Sequence, residues 1–302
     1  LKTGFFDPGV NTIRIGRNLY NSGGTSTHLS PATGTTYIFA GTVNQNYTNL
    51  IDEIIFDNVQ MVQTAASSLT LGAGSFNNLN VAGNLSLTNG KIITGAREVV
   101  VSNPANAAVT AGNINSYVEG NLRRFLNPNA TGIYDFPVGN AAKGYQLARM
   151  DFTVPTKIPD IIATFTSWPS VPNGPVSSEC VLANYSLYPA LNNGFWTMIA
   201  SDESNSGLYD LTLFNRSSTN AASPGGWSVM KRLPAGSGPW ALDGSCVLTS
   251  TLTATQRTGM NDLGDFATVQ STSPLPIELL IFDASVTQQG VLSIWKTATE
   301  TN

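Results

Sequence analysis

Charge is the first thing this sequence lacks. Only 11% of its 302 residues are Asp, Glu, Lys or Arg, against roughly 25% in an ordinary soluble domain. That scarcity excludes a protein of charged-face helices, while a hydrophobic content of 41% excludes general disorder. Basic residues are scattered, with adjacent pairs only at Arg123-Arg124 and Lys231-Arg232. Nucleic-acid binding needs a basic stripe or patch, and none is visible. No apolar run approaches the length of a membrane span. Histidine is limited to His28 and cysteine to Cys180 and Cys246, too few ligands for a metal site and grounds to expect no cofactor.

What replaces charge is Asn, Thr, Ser and Gly. A surface wetted by hydroxyls and amides is typical of extracellular adhesive or fibrous β-proteins. The N-terminus, Leu1-Lys2-Thr3, runs straight into turn-rich sequence without the form of a signal peptide. An exported chain without an export signal reads as an internal fragment of a longer protein. For Cys180 and Cys246, each following a polar turn, a disulfide and two buried free thiols both stay open.

Helical periodicity is almost absent. Apolar residues come in short alternating or continuous runs separated by Gly, Asn, Asp or Pro, the pattern of strands and turns. Over residues 1–120 the strands are very short. The stretch FNNLNVAGNLSLTNGKIITGAREVVVS reads as a series of small strand-turn units, none able to bury an apolar face alone. Stacking such units gives a continuous core, so a parallel β-solenoid is the expected architecture there, with an antiparallel sandwich as the alternative. Positive φ at the corners favours Gly and Asn, matching the AGN and TNG turns.

From Tyr117 onward strands lengthen, aromatics become common and prolines enter the loops. Residues 121–273 are expected to form an antiparallel β-sandwich. Trp196 and Trp227, flanked by alternating apolar residues, are its expected core anchors. After the Ser271–Ser273 linker, residues 274–302 hold two further strands, Ile277–Phe282 and Val291–Trp295.

That last segment carries a resemblance. Leu275-Pro276-Ile277-Glu278-Leu279 and Trp295-Lys296-Thr297-Ala298-Thr299-Glu300 resemble the linker and opening strands of a fibronectin-III-like module. Such modules recur near the C-termini of large secreted Bacteroidetes proteins of the type IX secretion group. The upstream LSLTNGKIITGAREVVVSN, SYVEGNLRRFL and YDFPVGN resemble the repeat-and-cap pattern preceding that module. Ile281 and Thr301 depart from it slightly. The resemblance implies an extracellular, cell-surface adhesin or filament segment, forming homo-oligomers or contacting neighbouring modules of the same long chain, surface glycans or other cells.

No catalytic constellation accompanies this, and a non-enzyme is expected. His28 sits in GGTSTHLSPATG with no nucleophile signature. Asp52-Glu53 and Asp202-Glu203 are adjacent, and neighbours on a strand point to opposite faces. Asp262 and Asp265, with Asp202-Glu203, are the strongest calcium candidates, with turn capping as the plainer role. A carbohydrate-binding module is the alternative function, with Trp168, Trp240 or Tyr188 stacking on sugar rings. A β-helix polysaccharide lyase or hydrolase ranks third, lacking an acid/base cluster.

Overall fold

The computed structural model describes residues 10–21, 33–50, 53–64, 66–129, 131–177, 186–202, 207–221, 226–233, 238–272, 279–287 and 290–297. It is all-β, with a parallel solenoid leading into antiparallel sheets. One 3-10 turn, Asn106–Ala108, is the sole helical element among the described residues.

The solenoid is wound in rungs of short strands. The first described rung holds β1 (Thr12–Ile15) and β2 (Leu19–Asn21), and the second β3 (Thr36–Phe39), β4 (Gln45–Asn49) and β5 (Ile55–Phe56). The third holds β6 (Asn58–Val62), β7 (Ser68–Leu71) and β8 (Leu79–Val81), and the fourth β9 (Leu85–Asn89) and the bent β10 (Lys91–Val101). β11 (Val118–Phe125) closes the last rung. Three parallel ladders result: β1–β3–β6–β9; β2–β4–β7–β10–β11; and β5–β8 with the second halves of β10 and β11.

Alternation along each strand sends every second side chain inward. In the second rung the inward set is aromatic: Tyr37, Phe39, Tyr47 and Phe56 are buried. Tyr37 and Tyr47 meet Phe56 edge-on at ring-centroid distances of 4.9 and 5.8 Å, a favoured aromatic geometry. The next rungs are aliphatic, filled by Val59, Met61, Leu69, Leu79, Leu85, Ile92 and Val99.

Asparagine works at the corners through its side chain, not through positive φ as expected. Asn21 Nδ2 donates to Asn49 Oδ1 at 3.0 Å, and the Asn49 backbone N–H donates to Asn77 Oδ1. At other corners the N–H of Asn46 donates to Asn18 Oδ1 (2.9 Å), that of Ser68 to Asn44 Oδ1 (3.1 Å) and that of Asn84 to Asn58 Oδ1 (3.0 Å). The carboxamide oxygens of Asn77, Asn18, Asn44 and Asn58 thus each satisfy a backbone donor. Within the described solenoid, left-handed backbone falls to glycine: Gly120 bends β11 at φ +122°, where an added Cβ would lie 2.0 Å from Thr94 Oγ1.

The boundary expected at residue 120 falls inside β11. Its first half, Val118 and Glu119, pairs in parallel with β12 (Gly132–Asn140); its second half, Leu122–Phe125, pairs antiparallel with β14 (Asp160–Thr166). Between them lies β13 (Gly144–Val154), and then come β15 (Asn173–Ser177), β16 (Ser186–Ala190), β17 (Phe195–Ile199), β18 (Leu208–Phe214), β19 (Trp227–Arg232), β20 (Ser245–Cys246), β21 (Thr255–Met260) and β22 (Gly264–Thr272). One sheet runs β12–β13–β18–β21–β20. The other runs β11–β14–β17–β22, with β19 on the far side of β22, β16 also on β22, and β15 on β16. A single apolar cluster extends from Tyr37 in the solenoid to Phe266 in the sandwich.

Trp196 is fully buried in that core. Its ring meets Phe165 at 4.9 Å, and its Nε1–H donates across the sandwich to the carbonyl of Gln146 at 3.3 Å. Trp227 differs from expectation: it is only half-buried and lies outside the core cluster. In the same strand Val229 supplies the core side chain. β23 (Leu279–Thr287) and β24 (Gly290–Thr297) form a separate antiparallel hairpin with exposed Val286, Val291 and Leu292.

Buried phenols give a pH prediction. Burial pushes the hydroxyls of Tyr47 and Tyr209 well above the usual phenol range and that of Tyr145 up to about 12. Their folded pKa values exceed the unfolded value of about 10, so the stability they contribute is complete below that pH. It is lost as pH climbs from about 10 through the folded values. Near-UV phenolate absorbance should show these tyrosines ionising late, together with unfolding; complete ionisation of all tyrosines at ordinary phenol pH in a folded chain would contradict the described burial.

Candidate functional site

The joint between solenoid and sandwich holds a small cluster of charges. Adjacent residues of β11 point to opposite faces, and Arg123 and Arg124 show it. On the outer face Arg123 Nε pairs with Glu98 at 2.8 Å, and its Nη1 pairs with Asp160 at 3.0 Å. Glu98 belongs to the preceding rung and Asp160 to the sandwich, so one guanidinium staples three strands. Hydrogen bonding to Glu98 raises the Arg123 pKa against the opposing effect of burial. Asp160 also accepts the Ser201 N–H at 3.0 Å, and Thr164 donates to Asn121 Oδ1 at 2.6 Å.

Arg124 turns inward and is fully buried. Its Nη1 donates to the Asp135 carbonyl at 2.7 Å, and its Nη2 donates to the carbonyls of Asn106 (2.9 Å) and Ala105 (3.3 Å). The guanidinium carbon lies 5.1 Å from the Tyr134 ring centroid and 5.8 Å from that of Phe136. Burial pushes its pKa down to about 10. Carbonyl dipoles and ring faces, rather than a bound carboxylate, hold this charge between the turn at the solenoid's end and the sandwich. In sequence the pair reads as a plain basic dipeptide; the alternation along SYVEGNLRRFL is the one signal that separates their roles.

The tryptophans expected to meet sugars occupy one another. Trp168 packs on Phe195 at 4.7 Å and meets Trp240 edge-on at 5.6 Å, and its Nε1–H donates to the Leu191 carbonyl at 2.8 Å. Arg232 lies 4.5 Å from the Trp240 centroid and pairs with Asp265 at 3.0 Å. The Trp240 ring stands nearly perpendicular to those of Trp168 and Phe195, at 77° and 73°, and the cluster covers Ala190, Met230, Ala267 and Val269 on the outer face of the sandwich. The side chain of Tyr188 lies outside the described residues.

Of the calcium candidates, Asp265 also accepts from Thr197 Oγ1 at 2.7 Å. Asp262 occupies a left-handed turn, φ +52°, whose carbonyl accepts the Tyr209 hydroxyl at 2.5 Å. Among the described residues no group of three or more His, Cys, Asp or Glu is placed to hold a metal. His28, Asp52 and Glu203 lie outside them. Cys246 is disulfide-bonded; the chain's other cysteine, Cys180, lies outside the described residues. Among the described residues no helix is long and apolar enough to cross a membrane.

Comparison with protein families, with curated proteins and with solved structures finds no match to this chain.

Proposed function

We propose that this chain is a rigid structural segment of an extracellular adhesin or filamentous surface appendage. The observation that carries the reading is the sharing of β11: the last solenoid rung is also a strand of both sandwich sheets. Two modules fused through backbone ladders and one core have no linker to bend at, unlike domains joined by exposed, polar connections. A low-charge surface of amides and hydroxyls suits an extracellular setting, and the resemblance of residues 275–279 and 295–300 to a type IX secretion module points the same way. In this reading the β23–β24 hairpin opens a fibronectin-III-like module. Its partners are further modules of the same chain or further copies of it.

Rigidity is measurable. Spin labels at exposed Arg14 in the solenoid and Thr153 in the sandwich should give one narrow distance distribution. Arg123→Ala, which unpins Glu98 and Asp160, should broaden it. A broad distribution in the unmutated joint refutes a stiff segment. Antibodies against this segment should decorate the surface of intact producing cells; label confined to lysed cells refutes the surface assignment.

A further inference from the structure

After β18, residues 215–220 are held in place by buried amides. Asn215 Oδ1 accepts from Thr268 Oγ1 (2.8 Å) and Asn193 Nδ2 (3.2 Å), and its Nδ2 donates to the Leu252 carbonyl and Thr255 Oγ1, both at 3.0 Å. Fully buried Gln146 grips the next residue at both polar groups: its Oε1 accepts the Arg216 N–H (3.2 Å) and its Nε2 donates to the Arg216 carbonyl (3.1 Å). Ser217 takes a left-handed φ of 58°, and its hydroxyl donates to the Lys143 carbonyl at 3.1 Å. Asn192 Oδ1 accepts the Thr219 N–H at 2.9 Å, and Asn220 Oδ1 accepts the Asn192 N–H at 2.8 Å.

This fixed loop borders an open cleft of about 290 Å³ lined by Asn215, Arg216, Ser217, Ser218, Leu252 and Thr253. Arg216 is exposed, yet its guanidinium rests over the Tyr145 ring, 5.4 Å from the centroid. Arg123, Arg149 and Arg232 each face a carboxylate, in Glu98 and Asp160, Asp135, and Asp265 respectively. No carboxylate among the described residues pairs with Arg216 in this way. The cleft is thus bordered by Arg216, whose guanidinium pairs with no carboxylate among the described residues, together with hydroxyl groups and the apolar Leu252.

We propose that this cleft binds one anionic sugar residue, a uronate or a sulfated hexose exposed on a glycan. Arg216 takes the anion through its fork of N–H donors. The hydroxyl hydrogens of Ser217 and Ser218 go to the Lys143 carbonyl and to Asn220 Oδ1, so their oxygens accept from the sugar hydroxyls, and Leu252 meets the ring. The space lies just below the range of drug-sized pockets, which favours a single ring over an extended peptide. Because residues 215–220 are already held by hydrogen bonds, binding loses little conformational freedom. The site is independent of the structural reading, and its failure would leave that reading untouched.

The test titrates the whole chain with methyl β-glucuronide, a sulfated methyl galactoside, neutral methyl β-glucoside and inorganic sulfate, followed by NMR. At least one anionic sugar should bind in the millimolar range, about tenfold or more tighter than the glucoside. Whichever binds assigns the carboxylate or the sulfate. Arg216→Gln, an exposed change, should weaken that binding about tenfold. Arg216→Lys should restore part of it, since it keeps charge without the fork. Glucoside binding as tight as the anionic sugars, no binding by either anionic sugar, unchanged binding in Arg216→Gln, or sulfate binding as tightly as the sugars would overturn the proposal.

Discussion

Arg124→Ala should be the most damaging single change at the joint, costing about 3–5 kcal/mol as expected for breaking a buried charged network. The substitution removes the donors from three carbonyls, those of Asp135, Ala105 and Asn106. Each carbonyl loses a hydrogen bond from a charged donor, a bond worth about 1.5–3 kcal/mol. It also opens a void between the rings of Tyr134 and Phe136. Arg124→Met separates the two effects, because it fills the space but supplies no donor. Arg124→Lys keeps a charge, but one ammonium on a flexible stem cannot reproduce a planar fork that spans several carbonyls. Urea denaturation measures the loss for all three, with alanine worst. Hydrogen exchange should locate it at residues 105–108 and in β12. An Arg124→Ala protein as stable as the parent would mean that the buried guanidinium does not tie the solenoid to the sandwich.

Much of this architecture is legible in the residues, and what is not has identifiable causes. Short runs punctuated by glycine announce a solenoid because each run fills only one side of a rung. The period stays loose because corners differ in length: β10 carries Thr94–Arg97 where β11 carries Gly120 alone. Asn84 in the AGN turn is visible as a corner residue, but its partner Asn58 lies a full rung away. A backbone role for such asparagines is thus a natural misreading. Arg124 escapes notice because burying a guanidinium is rare, and only the carbonyls gathered by folding make it tolerable. Trp227 misleads through local alternation, since which face of a strand meets the core is decided by neighbours distant in sequence. The Arg216 cleft is least visible, as Gln146, Asn192 and residues 215–220 and 252–255 meet only in the folded chain.

Trp196→Ala should cost about 3–5 kcal/mol, the usual penalty for emptying a buried aromatic site. The indole is fully buried, packs on Phe165 and donates across the sandwich to Gln146, so a cavity and a lost inter-sheet bond arise together. The more telling result concerns where the loss is felt. One apolar cluster joins Tyr37 to Phe266, and β11 is common to both parts. Amides of β3 to β10 should therefore gain exchange in Trp196→Ala although they lie in the solenoid. The reciprocal experiment is Leu79→Ala, deep in the third rung and expected to cost about 2–5 kcal/mol. In a Trp295→Phe background, which removes the hairpin's tryptophan, it should lower the midpoint reported by tryptophan fluorescence, since the remaining four, Trp168, Trp196, Trp227 and Trp240, all follow β11 in the sandwich. Coincident shifts by both probes mark a single cooperative unit. A Leu79→Ala chain whose tryptophans report an unchanged transition would show two independent bodies, and a stiff joint would then have no thermodynamic basis.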